Sequence, residues 1–169
     1  MDFRAIIQMA MTEYMEDLRK ATEDLTAAER RYQPTSEANH IDFTVWHMAR
    51  VEDGWVQRFA RQIPQIWNRD NWDAKLGLPE RGSGYGYTEE QVFSLPTFDF
   101  AKLMAYYDAV SQETSRYLDE LTEADLDICP DPRRPEYTVG KMFSHVIVEE
   151  SQHVGHIAYL RGLQRGINA

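Results

Sequence analysis

The residue types that could do chemistry gather in one stretch, SHVIVEESQHVGHIAYLRG at residues 144–162. There His145, Glu149, His153 and His156 follow one another at steps of four, four and three. On a helix turning about 100° per residue they make one stripe within an arc of roughly 80°. The stripe adjoins the apolar arc of Met142, Val146, Ile157 and Leu160, so part of it should face a core. Burying a carboxylate and imidazoles without partners is costly, and a metal ion is one way to satisfy them together. Glu149 and His153, one helical turn apart, can reach a common ion. Two ligands hold an ion weakly, which directs attention to His47 as a third from another element. His47 shares a face with Phe43, Val51 and Gly54, and a glycine inside a helix suggests close approach of a neighbour. The plainer reading is that the flank histidines are solvated or hydrogen-bonded and that His47 is an ordinary packed imidazole. His40 lies in a connection and is expected to be exposed.

These residues must be carried by helices. Phe3, Ile6, Ile7, Ala10, Met11, Tyr14 and Leu18 recur at three- and four-residue steps, which predicts a first helix from residue 2 to about 25. A connection with turn formers follows, from 26 to 41. A second helix is expected from Asp42 as its N-cap through Phe43, Trp46, His47, Val51, Trp55 and Phe59, ending near Arg61 or Trp67, with Pro64 ending or bending it. Asp99 should cap a third helix to about Leu121, and a fourth should run from near Thr138 to about Arg165. Between the second and third lies an irregular stretch, 68–97, holding Pro79, Gly82, Gly84, Gly86 and Pro96 with Trp72, Tyr85 and Tyr87. Connections of that length are uncommon, and a short helix at 88–94 is expected within it from the Thr88 to Gln91 capping pattern. CPDPRRP at 129–135 reads as a turn. No segment alternates at period two, so the expected architecture is all-α: a four-helix bundle forming a single domain over residues 1–169, with a long irregular connection between helices 2 and 3.

Composition narrows the function classes. The 169 residues carry 18 Lys+Arg against 28 Asp+Glu, a formal charge of −10, which repels phosphate backbones and anionic lipid. No nucleic-acid or membrane partner is expected. No apolar run reaches the roughly 20 residues of a membrane helix and no leader pattern is seen, which predicts a cytoplasmic protein. Most of the acids are expected on solvated helix faces, Glu149 being the exception. The lone Cys129 excludes an internal disulfide and thiolate ligation by several cysteines; in a Pro-rich turn it is a poor candidate nucleophile.

WHMARVED at 46–53 together with HVIVEESQHVGHIAYLRG at 145–162 resembles the DinB-like superfamily of metalloenzymes, which includes the YfiT-type proteins. The resemblance covers nearly the whole chain, including PTSEANHIDFTVWH at 34–47 and TEEQV at 88–92. It implies a four-helix bundle, a homodimer, and a metal held by His47, Glu149 and His153. The chain departs from the common pattern His-x-x-x-His-x-Gly-Gln by placing Glu149 at the first histidine and His156 at the glutamine. In the branch containing mycothiol-dependent maleylpyruvate isomerase a Glu at this place is itself a zinc ligand, and two His with one carboxylate are an established ligand set. His156 then remains open as a fourth ligand, a donor to Glu149 or a proton carrier.

The leading expectation is a mononuclear divalent-metal enzyme, with zinc or nickel ahead of iron or manganese, acting on a small-molecule substrate. The resemblance implies transferase or isomerase chemistry with a low-molecular-weight thiol, or hydrolysis. The competing expectation is a non-catalytic dimeric bundle with a vestigial site, acting as a binding or stress-associated protein. Trp67, Trp72, Tyr85 and Tyr87 either cover the pocket or fill the end of the bundle.

Overall fold

The computed structural model describes residues 2–166. Four long helices dominate: α1 (Phe3–Thr22), α2 (Ile41–Asp53), α3 (Phe100–Glu120) and α4 (Val139–Arg165). Three begin as the sequence predicts, because a side-chain oxygen takes up an N–H group left unpaired in the first turn. Asp2 accepts from the Ala5 N–H, Asp99 from Lys102 and Thr138 from Lys141. The capping box at Thr88 also forms, starting the short helix Glu89–Phe93. No strand occurs among the described residues, and none of their helices is long and apolar enough to cross a membrane.

The start of α2 differs from expectation. Its N-cap is His40, whose Nδ1 accepts the Phe43 N–H at 3.0 Å. Asp42 is drawn away by Arg30, whose Nε lies 2.8 Å from Oδ1. His40 is therefore fully buried, contrary to the exposed position expected of it: capping fixes one ring nitrogen, and Arg31 meets the other at 2.8 Å. The far end of α2 loosens into a π-helical segment, Gly54–Ala60, and helical winding stops before Pro64, close to the Arg61 boundary. The next turn, Ile66–Arg69, is separate. Its first two amides, Ile66 and Trp67, both donate to the buried Asp53 carboxylate at 2.9 Å.

Around the bundle, α1 packs beside α4, α4 beside α2, α2 beside α3 and α3 beside α1. Named contacts fix the directions. Arg4 reaches the Leu121 carbonyl while Arg19 pairs with Asp108, so α1 and α3 are antiparallel. Arg50 meets Tyr106 and Arg61 meets Glu113, so α2 and α3 are parallel. Parallel neighbours cannot be joined by a short turn; the chain must travel back along the bundle. That requirement explains the long connection between them. The connection also contributes apolar mass: Trp67, fully buried, packs on Trp46 and Tyr106, Trp72 on Tyr106, and Tyr87 on Phe43 and Trp46. Three of the four aromatics thus fill the end of the bundle, while Tyr85 is exposed.

Leu18, Ile41, Met48, Leu103, Val110, Leu118 and Met142 are fully inaccessible, each contributing about 1.5–3 kcal/mol by leaving water. The core is not wholly apolar. Across one diagonal Tyr14 of α1 donates to Glu52 of α2 at 3.0 Å, and across the other Tyr107 of α3 donates to Glu150 of α4 at 2.8 Å. Asp42, Glu52, Asp53 and Glu150 are all completely buried, so Glu149 is not the single exception among acids expected mostly on solvated faces. Each has a cation or hydroxyl partner that meets part of the desolvation cost.

Candidate metal centre

The triad forms where α2 and α4 pack antiparallel. Nε2 of His47 lies 3.6 Å from Oε1 of Glu149, and Nε2 of His153 lies 3.9 Å from the same oxygen. One donor atom from each of the three residues falls within 4.8 Å of the other two. Ligands on a tetrahedral zinc stand about 3.4 Å apart, so the two glutamate separations need only small side-chain rotations to meet one ion. The donor set of two imidazole nitrogens and one carboxylate oxygen suits a divalent transition metal.

His47 is oriented from two sides. Its ring stacks on Phe43, one turn earlier in α2, with 5.8 Å between centroids and planes 2° apart. Its Nδ1–H donates to the Ser83 carbonyl at 2.5 Å, which leaves the Nε2 lone pair facing Glu149. The loop carrying Ser83 comes this close because residue 84 is glycine. A Cβ there would sit 2.9 Å from the Phe43 ring and 3.1 Å from Nδ1 of His47, and its φ of +86° is one that side chains other than glycine's resist. The same loop is fastened by Arg50, whose Nε donates to the Gly82 carbonyl at 3.1 Å while its guanidinium lies over Trp67. The irregular connection therefore serves the site through its backbone, with its aromatics anchoring it in the core.

Glu149 is 23% exposed. The His153 and His47 rings, with His145 beside them, hold its carboxyl well below the usual carboxylate range, outweighing the partial burial that pushes it up. It is an anion at neutral pH, as a cation site requires. Its second oxygen, Oε2, lies 2.8 Å from Nε2 of His145. His153 meets His47 edge-on at 5.2 Å between centroids, and its buried Nδ1 has no hydrogen-bond partner, so packing sets that ring.

Of the four-residue stripe on α4, Glu149 and His153 converge with His47, and His145 stands beside Glu149 at ion-pair distance. His156 is exposed, its ring edge-on to His153 at 5.6 Å; the contact with Glu149 belongs to His145. Cys129 is remote in its turn, its thiol directed to the Asp131 and Arg134 carbonyls. The group that sequence reasoning missed lies just inward: Glu52 and Glu150, with Tyr14 and Tyr107. Tyr14 and Tyr107 sat on apolar stripes and passed for core. A glutamate immediately after Glu149, about 100° further round the helix, was the available signal that a second carboxylate enters the bundle. Burial pushes Glu52 up to about 7 against the nearby Thr114 hydroxyl and the hydrogen bond from Tyr14, and burial together with Glu52 pushes Glu150 well above its ordinary range.

Comparison with known proteins supports the fold over its whole length. A solved structure described as the conserved protein of locus from Enterococcus faecalis superposes with a TM-score of 0.87, at 22% identity, over 99% of this chain and 99% of that one. No curated protein matches. The sequence profile of the mycothiol-S-transferase family matches residues 6–166. With a DinB-like bundle and a His/Glu/His cluster at the place the motifs indicated, the chain belongs to the mycothiol-S-transferase family.

Proposed function

We propose that the protein is a divalent-metal-dependent thiol S-transferase, with His47, Glu149 and His153 holding the cation and a low-molecular-weight thiol, mycothiol by the family's name, as sulfur donor. The observation that carries this reading is the convergence of two imidazole nitrogens and an ionised carboxylate from two helices. A bound divalent ion supplies Lewis acidity, lowering the pKa of a thiol so that the thiolate is available at neutral pH. The chain's own residues supply the rest: Ser83 fixes the His47 tautomer, Phe43 and Gly84 fix its plane, and His145 stands 2.8 Å from the outer oxygen of Glu149. In the transfer the thiol gives up its proton and its sulfur bonds to an electrophilic carbon of a small molecule, which loses a leaving group or takes up the proton. Zinc and nickel suit the ligand set best. The reading includes a cytoplasmic homodimer, testable by sedimentation.

The test begins with metal content of protein purified without added metal or affinity resin. Near-stoichiometric zinc or nickel is expected, lost in Glu149→Ala and His153→Ala. Mycothiol and an electrophile are then incubated with wild type and His47→Ala, and thiol loss is followed. Substoichiometric metal unchanged by the substitutions refutes the enzyme reading and leaves the non-catalytic bundle. Tight metal without turnover across a broad electrophile screen favours a binding role.

A further inference from the structure

We propose that His145 is a positioning residue for the metal centre, which by donating from Nε2 to Oε2 of Glu149 reserves Oε1 alone for the cation. The inference rests on the metal-site reading above and adds to it what decides how Glu149 binds.

A carboxylate at the end of a flexible side chain can offer a cation one oxygen or both, and those modes give different coordination numbers. In this protein the two oxygens of Glu149 have separate partners. Oε1 faces Nε2 of His47 at 3.6 Å and Nε2 of His153 at 3.9 Å, whereas Oε2 meets Nε2 of His145 at 2.8 Å. That last distance is within hydrogen-bonding reach, and because the carboxylate can only accept, a bond between them takes its proton from Nε2 of His145. His145 lies outside the group whose donor atoms converge; it acts through Glu149.

The donor is itself braced. His145 sits one helical turn before Glu149 on α4, a spacing at which side chains of that length meet. Its ring stands edge-on to Trp55 at 5.0 Å and to Tyr137 at 6.4 Å, and Trp55 in turn packs on Phe59 and Tyr137. Trp55 and Phe59 come from the π-helical continuation of α2, whose extra residue per turn carries their side chains to places a regular helix would not. Sequence and fold thus place an aromatic brace, a histidine and a carboxylate in series, the order in which an outer shell orients a metal-ligating carboxylate elsewhere in proteins. The chain would then offer a bound cation three donor atoms, one each from His47, Glu149 and His153.

The experiment measures zinc affinity by chelator competition and the visible spectrum of the cobalt-substituted protein, for wild type, His145→Ala, His145→Gln and Glu149→Ala. His145→Ala is expected to weaken zinc binding about 10–100-fold. Its cobalt bands should also weaken, as Glu149 turns to offer both oxygens and the coordination number rises. His145→Gln keeps an N–H donor on a side chain of similar reach and should recover affinity and spectrum to within a few-fold. The inference is overturned if His145→Ala binds zinc like wild type with an unchanged cobalt spectrum, or if His145→Gln is as impaired as His145→Ala. Those results leave the metal centre standing as long as Glu149→Ala abolishes binding. If wild type binds zinc and cobalt no better than Glu149→Ala, the metal reading itself fails and the role of His145 fails with it.

Discussion

Glu52→Gln should stabilise the protein, and by an amount that depends on pH. The Glu52 side chain is completely buried, accepts a hydrogen bond from Tyr14 at 3.0 Å, and has one oxygen with no partner. Burial lifts its pKa from an ordinary 4.5 to about 7. In the unfolded chain the carboxyl ionises from about pH 4.5 upward, so across the window 4.5 to 7 the folded protein holds a proton that the unfolded one has released. Stability therefore falls as pH rises through that window. At 1.36 kcal/mol per pH unit the full effect is about 3 kcal/mol, of which about 2 kcal/mol accrues between about pH 5.5 and about pH 8. Glutamine is neutral at every pH and keeps an acceptor for Tyr14, so it escapes the loss. Urea unfolding followed by circular dichroism, on wild type and variant at the two pH values, should show the variant's advantage growing by about 2 kcal/mol at the higher one. An advantage of equal size at both would show that the carboxyl is not held protonated by burial, and the reasoning about this core would fall.

His40 should act with the opposite sign. Burial, aided by Arg31, depresses it from 6.5 to about 4, so on acidification the unfolded chain takes up a proton first and stability is lost as pH falls from 6.5 to 4. His40→Asn keeps a capping side chain without the titration, and a melting-temperature series against pH should lose this acid limb, worth up to about 3 kcal/mol. Asp53→Ala removes the carboxylate that faces Arg50, 4% exposed, and the acceptor of the Ile66 and Trp67 amides. A loss of about 3–5 kcal/mol is expected in urea unfolding. Gly84→Ala forces a side chain into the φ +86° conformation and against Phe43 and His47. It should cost about 1–3 kcal/mol in the same measurement and weaken zinc binding by displacing the Ser83 carbonyl from His47.

The helices and most of their ends were legible in the sequence because the causes are local. Apolar residues three and four apart define a face, and Asp2, Thr88, Asp99 and Thr138 cap amides within three residues of themselves. The pairing of Glu149 with His153 is of the same kind, one turn on one helix. His47 was a candidate by its residue type and face, strengthened by the motif resemblance, but nothing in its neighbourhood specified the partner helix. What the sequence left open depends on distances between elements. Whether a buried acid is solvated or enclosed is decided by the opposite helix, as with Glu52 beneath Tyr14 and Glu150 beneath Tyr107. The cap of α2 passed from Asp42 to His40 because Arg30, twelve residues from Asp42, competes for the carboxylate. The division of labour on α4, with His145 on Glu149 and His156 in solvent, follows from which side of that helix α2 covers. Periodicity assigns residues to a stripe; only the neighbour that packs against the stripe sets which of them meet a ligand, a proton or water.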